Sequence, residues 1–396
     1  MTRKWSNWSG SLRFAPHQLL APKGEEELAH LVRRAAEEGQ SVRVVGSGHS
    51  SSPLVETHGT LVSLEHLRRI EVHDVESCEV TIGGGVTLDQ AGRALLAQGL
   101  AFSNLGDIDS QTVAGAIGTG NHGTGLQLPT IAAHLVGARL VAGTGEILEV
   151  GIEDDPEGIQ ALRVSLGVLG IITALRLRLV PAFQLRKRQW CTGVEECVLH
   201  FDELARAHRH VDFYWYPRSD EVKLRTMDSA DETPSDIPIA RLLDEQIGWS
   251  SQVIPNVREL RFEEMEYAVP LERGLACFAE VRDRIKARWR HLVGWRVLYR
   301  TVAPDDTYLS MSSGRPTATI SLHQNNTLPF WPFFRDVEPL FCAHDGRPHW
   351  GKQHTLRAPE LRPLYPMWDR FLDVRQRIDP AGVFLTPYLC NLLGIA

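Results

Sequence analysis

A chain of 396 residues with 43% hydrophobic and 23% charged side chains is long enough for two or three domains and has an ordinary globular mixture. Its formal net charge of −7 argues against a nucleic-acid or anionic-membrane partner. The six scattered cysteines form no C-x-x-C pair, the sixteen histidines form no H-E-x-x-H spacing, and no apolar leader or long apolar run is present. No metal module, no membrane span and a reducing cytoplasmic compartment are therefore expected.

In chain order, residues 5–22 read as an aromatic loop. Glu25 to Glu38 has helical periodicity through Leu28, Leu31, Val32 and Ala35, with Gly39 as its stop. Val42 to Val45 reads as a β-branched strand running into a tight turn, Gly46-Ser47-Gly48-His49-Ser50. Such a turn presents several backbone N–H groups in a row, a common cradle for phosphate. A phosphate loop needs no imidazole, so His49 either caps a local carbonyl or does chemistry. Residues 60–64 and 78–82 read as strands, and Gly83 to Gly85 turn into a helix from Thr87, its N-cap, to Gln98. The stretch from Asn104 to Gly125 is dense in glycine and small residues, which implies something large lying against its backbone. Its ends look strand-like. Residues 135–150 read as a hairpin around Gly143-Thr-Gly-Glu146, residues 157–165 as a helix, and residues 167–180 as a turn and a long alternating strand.

After Pro181 glycine falls and aromatic and charged residues rise. Strands are expected at 210–216, 262–269, 295–302 and 317–323, helices at 195–208 and 271–291, and a polar loop at 227–240. Residues 333–342 read as a helix, 347–354 as a polar-aromatic loop, and 358–377 as one helix followed by a short apolar tail. This gives an α+β fold with three expected parts: residues 1–182, a sheet with flanking helices over 183–340, and a C-terminal segment, 341–396, returning to the first part.

Five stretches in order carry a resemblance: Asn7-Trp-Ser-Gly10, Gly46-Ser-Gly-His-Ser50, Gly106-Asp-Ile-Asp through Thr124-Gly125, Arg300-Thr-Val-Ala-Pro through Ser310, and His349-Trp-Gly-Lys352. The tail Asp379-Pro-Ala-Gly-Val-Phe384 also fits. Each alone is weak; together they cover nearly the whole chain, which resembles the flavin-dependent oxidases of the vanillyl-alcohol-oxidase (PCMH) type, and among them the sugar-1,4-lactone and alditol oxidases.

The resemblance implies a two-part FAD-binding domain and a cap substrate domain built on an antiparallel sheet. It implies FAD held by Val44, Val45, Gly46, Ser47, Gly48, His49 and Ser50, with His49 as the covalent attachment point. Asp107, Thr112, Gly115, Thr119, Gly120, Asn121 and His122 would line the flavin, Ile172 the adenine side, and Lys352 the edge where reduced flavin carries negative charge. The alternative role for His122 is only to brace its loop. Arg300, His323 and Asn325 match substrate positions. Oxidising an alcohol needs its hydroxyl proton accepted as hydride leaves carbon, and a neutral imidazole suits that task. His323 is the expected base, with Lys352 as the other candidate and Arg300 placed for the developing alkoxide. One departure stands out: the family's glutamate two before the arginine is Leu298 here. Glu266, Glu264 or Asp107 could supply the missing carboxylate. The implied reaction is oxidation of a carbinol of a sugar lactone, alditol or related polyol, with reoxidation by O2 or another acceptor. The alternatives are a specialised metabolite such as an aminocyclitol or amine, or flavin binding without turnover.

Overall fold

In the computed structural model, which describes residues 4–74, 76–256 and 259–395, two small sheets carry the N-terminal part. The first three residues of the expected N-terminal unit and the last of the C-terminal segment lie outside the described residues. Strands Gln18–Leu20, Thr60–Ser63 and Val42–Val45 form a parallel sheet in that spatial order. Helix Glu25–Glu37 buries Leu28, Leu31, Val32 and Ala35 against it, and the chain reverses at Gly39, whose φ of +63° favours glycine. A five-stranded antiparallel sheet lies beside it, in the order Ile147–Gly151, Leu135–Val141, Ile171–Arg178, Glu79–Gly83, Ile70–Asp74. Helix Leu88–Leu96 starts in a capping box between Thr87 and Gln90, as the threonine suggested.

The larger sheet has eight strands, all antiparallel: Arg241–Trp249, Gln184–Gly193, Glu221–Ser229, His210–Tyr216, Val297–Val302, Thr317–Asn325, Phe262–Pro270 and Arg347–Pro348. Alternate residues on its central strands, among them Phe213, Met265, Tyr267, Tyr299 and Leu322, pack on helices Val194–Ala207, Gly274–Arg288 and Trp331–Ala343. The opposite face carries Tyr214, Glu264, Glu266, Arg300 and His323, and these are buried too. A polar sheet face shut away from water is the main fact about this half of the molecule, since buried polar groups require partners or a ligand.

The C-terminal residues return to the first core, where Leu361, Trp368, Phe371, Ile378 and Leu389 pack with Leu88, Ile117 and Leu162. Arg43 ties these segments together. Its buried guanidinium donates to the carbonyls of Leu54, Leu166, Gly167 and Phe384 at 2.6 to 2.9 Å. No helix among the described residues is long and apolar enough to cross a membrane.

Several elements differ from the sequence reading. Residues 5–22 hold three short strands, Trp5–Ser6, Arg13–Phe14 and Gln18–Leu20. Strands Ile70–Asp74, Gln184–Gly193 and Arg241–Trp249 were not foreseen, and Glu221–Ser229 runs into the expected polar loop. The glycine-dense stretch contains a helix, Val113–Gly118, started by Thr112, whose hydroxyl accepts from the Gly115 N–H. The single helix expected over 358–377 breaks into Ala358–Leu361 and Trp368–Ile378, because Pro363 and Pro366 cannot continue it. The tail is helical over Pro387–Leu393.

Candidate active site

The strand Val42–Val45 delivers the Gly46–Ser50 turn to the wall of a long cleft of about 310 Å³. Val44, Val45, Gly46, Ser47, Gly48, His49, Ser50, Thr112, Gly115, Thr119 and Ile172 line it, with Gly84, Gly85, Gly167 and Gly170. The glycines are there because neighbouring segments, side chain or main chain, press close beneath the cleft. A Cβ on Gly46 would come 2.2 Å from the Thr112 hydroxyl, and one on Gly84 2.5 Å from the Ile172 carbonyl. Main chain is thus laid open to the cleft at these glycines, and Arg68 lines it too. An elongated, phosphate-bearing dinucleotide fits a cleft of that shape and chemistry.

At its inner end the cleft meets a smaller chamber of about 70 Å³, and His49, Ser50, Gln111 and Thr119 line both. His49 stacks on Trp8 with ring centroids 5.0 Å apart, and its Nε2 lies 2.8 Å from the Ser110 hydroxyl. Burial first, then the charge of Lys352, lowers its pKa to about 4, so the ring is neutral near pH 7.

The polar sheet face forms the chamber's far wall. Cross-strand pairing sets Glu264 opposite His323, Glu266 and Leu298 opposite Ser321, and Tyr214 opposite Leu298. His323 Nδ1 donates to the Arg296 carbonyl at 3.0 Å, which leaves Nε2 as the free lone pair, 3.5 Å from Glu264 Oε1. Burial pulls the His323 pKa down to about 4, against the pull of Glu264. Glu264 also takes Lys352 as a partner. Deeper in, Glu266 Oε1 lies 2.7 Å from His122 Nε2 and accepts from Arg300 at 3.1 Å. Burial opposes ionisation of Glu266, but Arg300 and His122 outweigh it and hold the carboxyl well below its usual range. The His349 ring is tilted against His122 with centroids 5.9 Å apart, and burial lowers its pKa to about 3. Apolar groups, Ile108, Phe262, Trp295 and Leu298, complete the lining.

Of the residues singled out from sequence, Arg300, His323, Lys352, Glu266, His122, Asn121 and Asp107 meet in the chamber. His122 has its Nδ1 at 2.9 Å from the Gly123 carbonyl as well as its contact to Glu266, so it braces the loop while facing the chamber. Asp107 is a strut: its carboxylate accepts from Arg225 at 3.0 Å, from Asn256 at 3.2 Å and from Tyr214. Two residues are corrected. Gly120 lines neither cavity; it turns the chain after the short helix at φ +73°. Asn325 also lines neither, because its side chain accepts from Thr327 in the turn ending its strand. Sequence reasoning did not single out Arg296, His349, Tyr214 and Trp295. The alternation of the sheet strands was the signal that placed Tyr214 and Arg296 on the same face as Arg300.

The chain matches the FAD binding domain family over residues 16–151 and the D-arabinono-1,4-lactone oxidase family over residues 175–253 and 241–392. It is 35% identical to the L-gulono-1,4-lactone dehydrogenase of Mycobacterium tuberculosis, with all of both chains covered. It is 29% identical to the alditol oxidase of a Streptomyces species, covering 99% of this chain and 100% of that one, and 28% identical to the L-gulonolactone oxidase of Bos taurus, covering 98% and 97%. Among solved structures, cholesterol oxidase from B. sterolicum shares the fold with a TM-score of 0.84 at 17% identity, over 99% of this chain and 97% of that one.

Proposed function

We infer the function from one premise: this chain belongs to the D-arabinono-1,4-lactone oxidase family and carries an FAD-binding domain, so it is an FAD-dependent oxidoreductase. We propose that it oxidises a carbinol of a sugar 1,4-lactone, alditol or related polyol. The observation that carries this is His323, a buried neutral imidazole with its Nδ1 pinned and its Nε2 free in the chamber at the inner end of the cofactor cleft. When bound, FAD supplies the acceptor for the carbinol hydride. His323 Nε2 takes the hydroxyl proton, and Glu264 beside it stabilises the imidazolium that results. Arg300, oriented by Glu266, faces the developing alkoxide or a neighbouring hydroxyl. Lys352, held by Glu264, offers a cation to the reduced cofactor. Leu298 stands in the chamber wall without a carboxylate, but Glu264 and Glu266, on the strand Phe262–Pro270 one strand beyond its neighbour, supply two. Polyol hydroxyls therefore have acceptors, which favours this reading over an amine substrate.

The two-part cofactor domain over residues 1–182 and 341–396, with 183–340 as the cap, is supported by the C-terminal residues packing in the first core. A cytoplasmic location is supported by six free cysteines. Reoxidation by O2 or another acceptor completes turnover. His49, neutral and lining both cavities, is the proposed covalent link to FAD; Ser110 engages its Nε2, which leaves Nδ1 for the bond. The test is acid precipitation of the purified yellow protein. The colour is expected to stay with the polypeptide and to be released from His49→Ala. Colour released from the unaltered protein would refute the link.

A further inference from the structure

Among the described residues three cations line the chamber, and two of them are matched by a carboxylate. Arg300 pairs with Glu266, and Lys352 with Glu264. Arg296 is different. Its guanidinium centre lies 4.4 Å from the Tyr214 ring centroid and 5.3 Å from that of Trp295, so aromatic faces hold it flat. No carboxylate lies within ion-pair distance of it among the described residues, and its position is inside the reaction space, since its charge acts on His323. The third lining carboxylate, Asp107, is already engaged by Arg225. Behind the wall, Arg225 also pairs with Asp212, and Lys187 donates to Asn256 and the Val253 carbonyl nearby. In the chamber and this layer, Arg300, Lys352 and Arg225 are each paired with a carboxylate, and Lys187 is held by an amide oxygen and a carbonyl. Arg296 is the chamber cation held by aromatic faces instead.

Aromatic stacking occupies the faces of a guanidinium and leaves its N–H rim for hydrogen bonding. That rim matches a carboxylate with two parallel bonds, and such charge-assisted pairs are about twice as strong as neutral ones. A neutral lactone or alditol could offer it only a carbonyl or hydroxyl oxygen and would leave the local positive charge unbalanced in a partly desolvated chamber. A carboxylate would balance it, and no wall carboxylate is left uncompensated to repel one.

Resting on the reading that this chamber oxidises a polyol carbinol, we propose that Arg296 is a specificity-determining residue for an acidic substrate, and that the enzyme prefers an open-chain polyhydroxy acid to the neutral lactone or alditol of the same configuration. The carboxylate docks on Arg296, which presents a carbinol of the same molecule to His323.

The experiment uses the purified FAD holoenzyme with three probes of gulo configuration: sodium gulonate, gulono-1,4-lactone and the corresponding alditol. It reads kcat/KM with a dye acceptor and, separately, binding by perturbation of the oxidised flavin spectrum. Gulonate should exceed the alditol by about tenfold or more in kcat/KM at low ionic strength, and this margin should shrink as salt is raised. Arg296→Gln should lower kcat/KM for gulonate at least about tenfold more than for the alditol, mostly through KM, and Arg296→Lys should restore part of the loss. The proposal is overturned if the alditol or lactone is used as well as gulonate by the unaltered enzyme, or if Arg296→Gln lowers all three equally. If none of the three reduces the flavin, it is the polyol-oxidation reading that fails. Spectral binding then still decides the role of Arg296, because gulonate binding no tighter than the alditol overturns it independently of turnover.

Discussion

His323 is suited to accept a proton for two reasons. The Arg296 carbonyl fixes its tautomer, and burial keeps it neutral. The working form of the base is the unprotonated ring, so activity is lost only as pH falls through the pKa, near 4 here rather than the 6.5 of a free imidazole. We predict that kcat/KM stays level from neutral pH down to about pH 5, where an unshifted histidine would have lost most of its activity. His323→Asn should lower kcat by about 10²- to 10⁴-fold, with KM changing far less. An acid limb centred near pH 6.5, or a variant with nearly full kcat, would remove His323 from the role of base. The candidate residues were partly legible at this scale. His49, Arg300 and Lys352 stood in motif runs and His323 closed an expected strand, so they could be singled out. His349 opened a motif run without a role of its own and Arg296 stood in none, since what each does depends on a backbone carbonyl, an aromatic face or a neighbouring imidazole set by the fold.

The strands explain how those residues meet. In Phe262–Pro270, Val297–Val302 and Thr317–Asn325, alternate side chains pack on helices while the intervening ones, Glu264, Glu266, Arg300 and His323, enter the chamber. The alternation itself was readable, and it located these three strands. What it could not say is that the polar side is also buried, because a polar stripe on a strand ordinarily faces water. The edge strand Arg241–Trp249 and its neighbour Gln184–Gly193 escaped notice for the opposite reason. Arg241–Trp249 is exposed along nearly all its length, so no hydrophobic periodicity marks it. The Glu266–Arg300–His122 network spans two strands and the loop after the short helix, and it is nearly inaccessible to solvent. Removing the carboxylate leaves a buried guanidinium unpaired. Glu266→Ala should therefore destabilise the fold by about 3–5 kcal/mol, and Glu266→Gln by less, as measured by urea unfolding at pH 7. A loss below about 1 kcal/mol for the alanine variant would show that water solvates Arg300 in place of Glu266.

Across the whole molecule, neutral buried histidines recur. Burial lowers His49 and His323 to about 4 and His210, His349 and His354 to about 3. In the unfolded chain each takes a proton near pH 6.5, while in the folded protein it does not until pH 3 to 4. The unfolded state thus binds more protons between these limits, and stability is lost as pH falls through that window, by up to about 1.4 kcal/mol per pH unit for each such histidine. Thermal melts should fall steeply from pH 6.5 to pH 5 and change little between pH 7 and 8; a flat profile down to pH 5 would mean the histidines ionise in place. At this scale the sequence conveyed the FAD-domain and cap architecture through ordered motifs, but not the joint that Arg43 makes among distant segments, since its four carbonyl partners come from residues 54, 166, 167 and 384. The central claim is that this scaffold oxidises a sugar-derived carbinol at the junction of cleft and chamber. The most direct measurement is anaerobic mixing of the purified holoprotein with gulono-configured lactone, alditol and aldonate while the flavin absorbance is followed. The account predicts that at least one of them bleaches the flavin in the unaltered protein and does so at least about a hundredfold more slowly in His323→Asn. Flavin that stays oxidised with all three, or that bleaches equally fast in the variant, would contradict it.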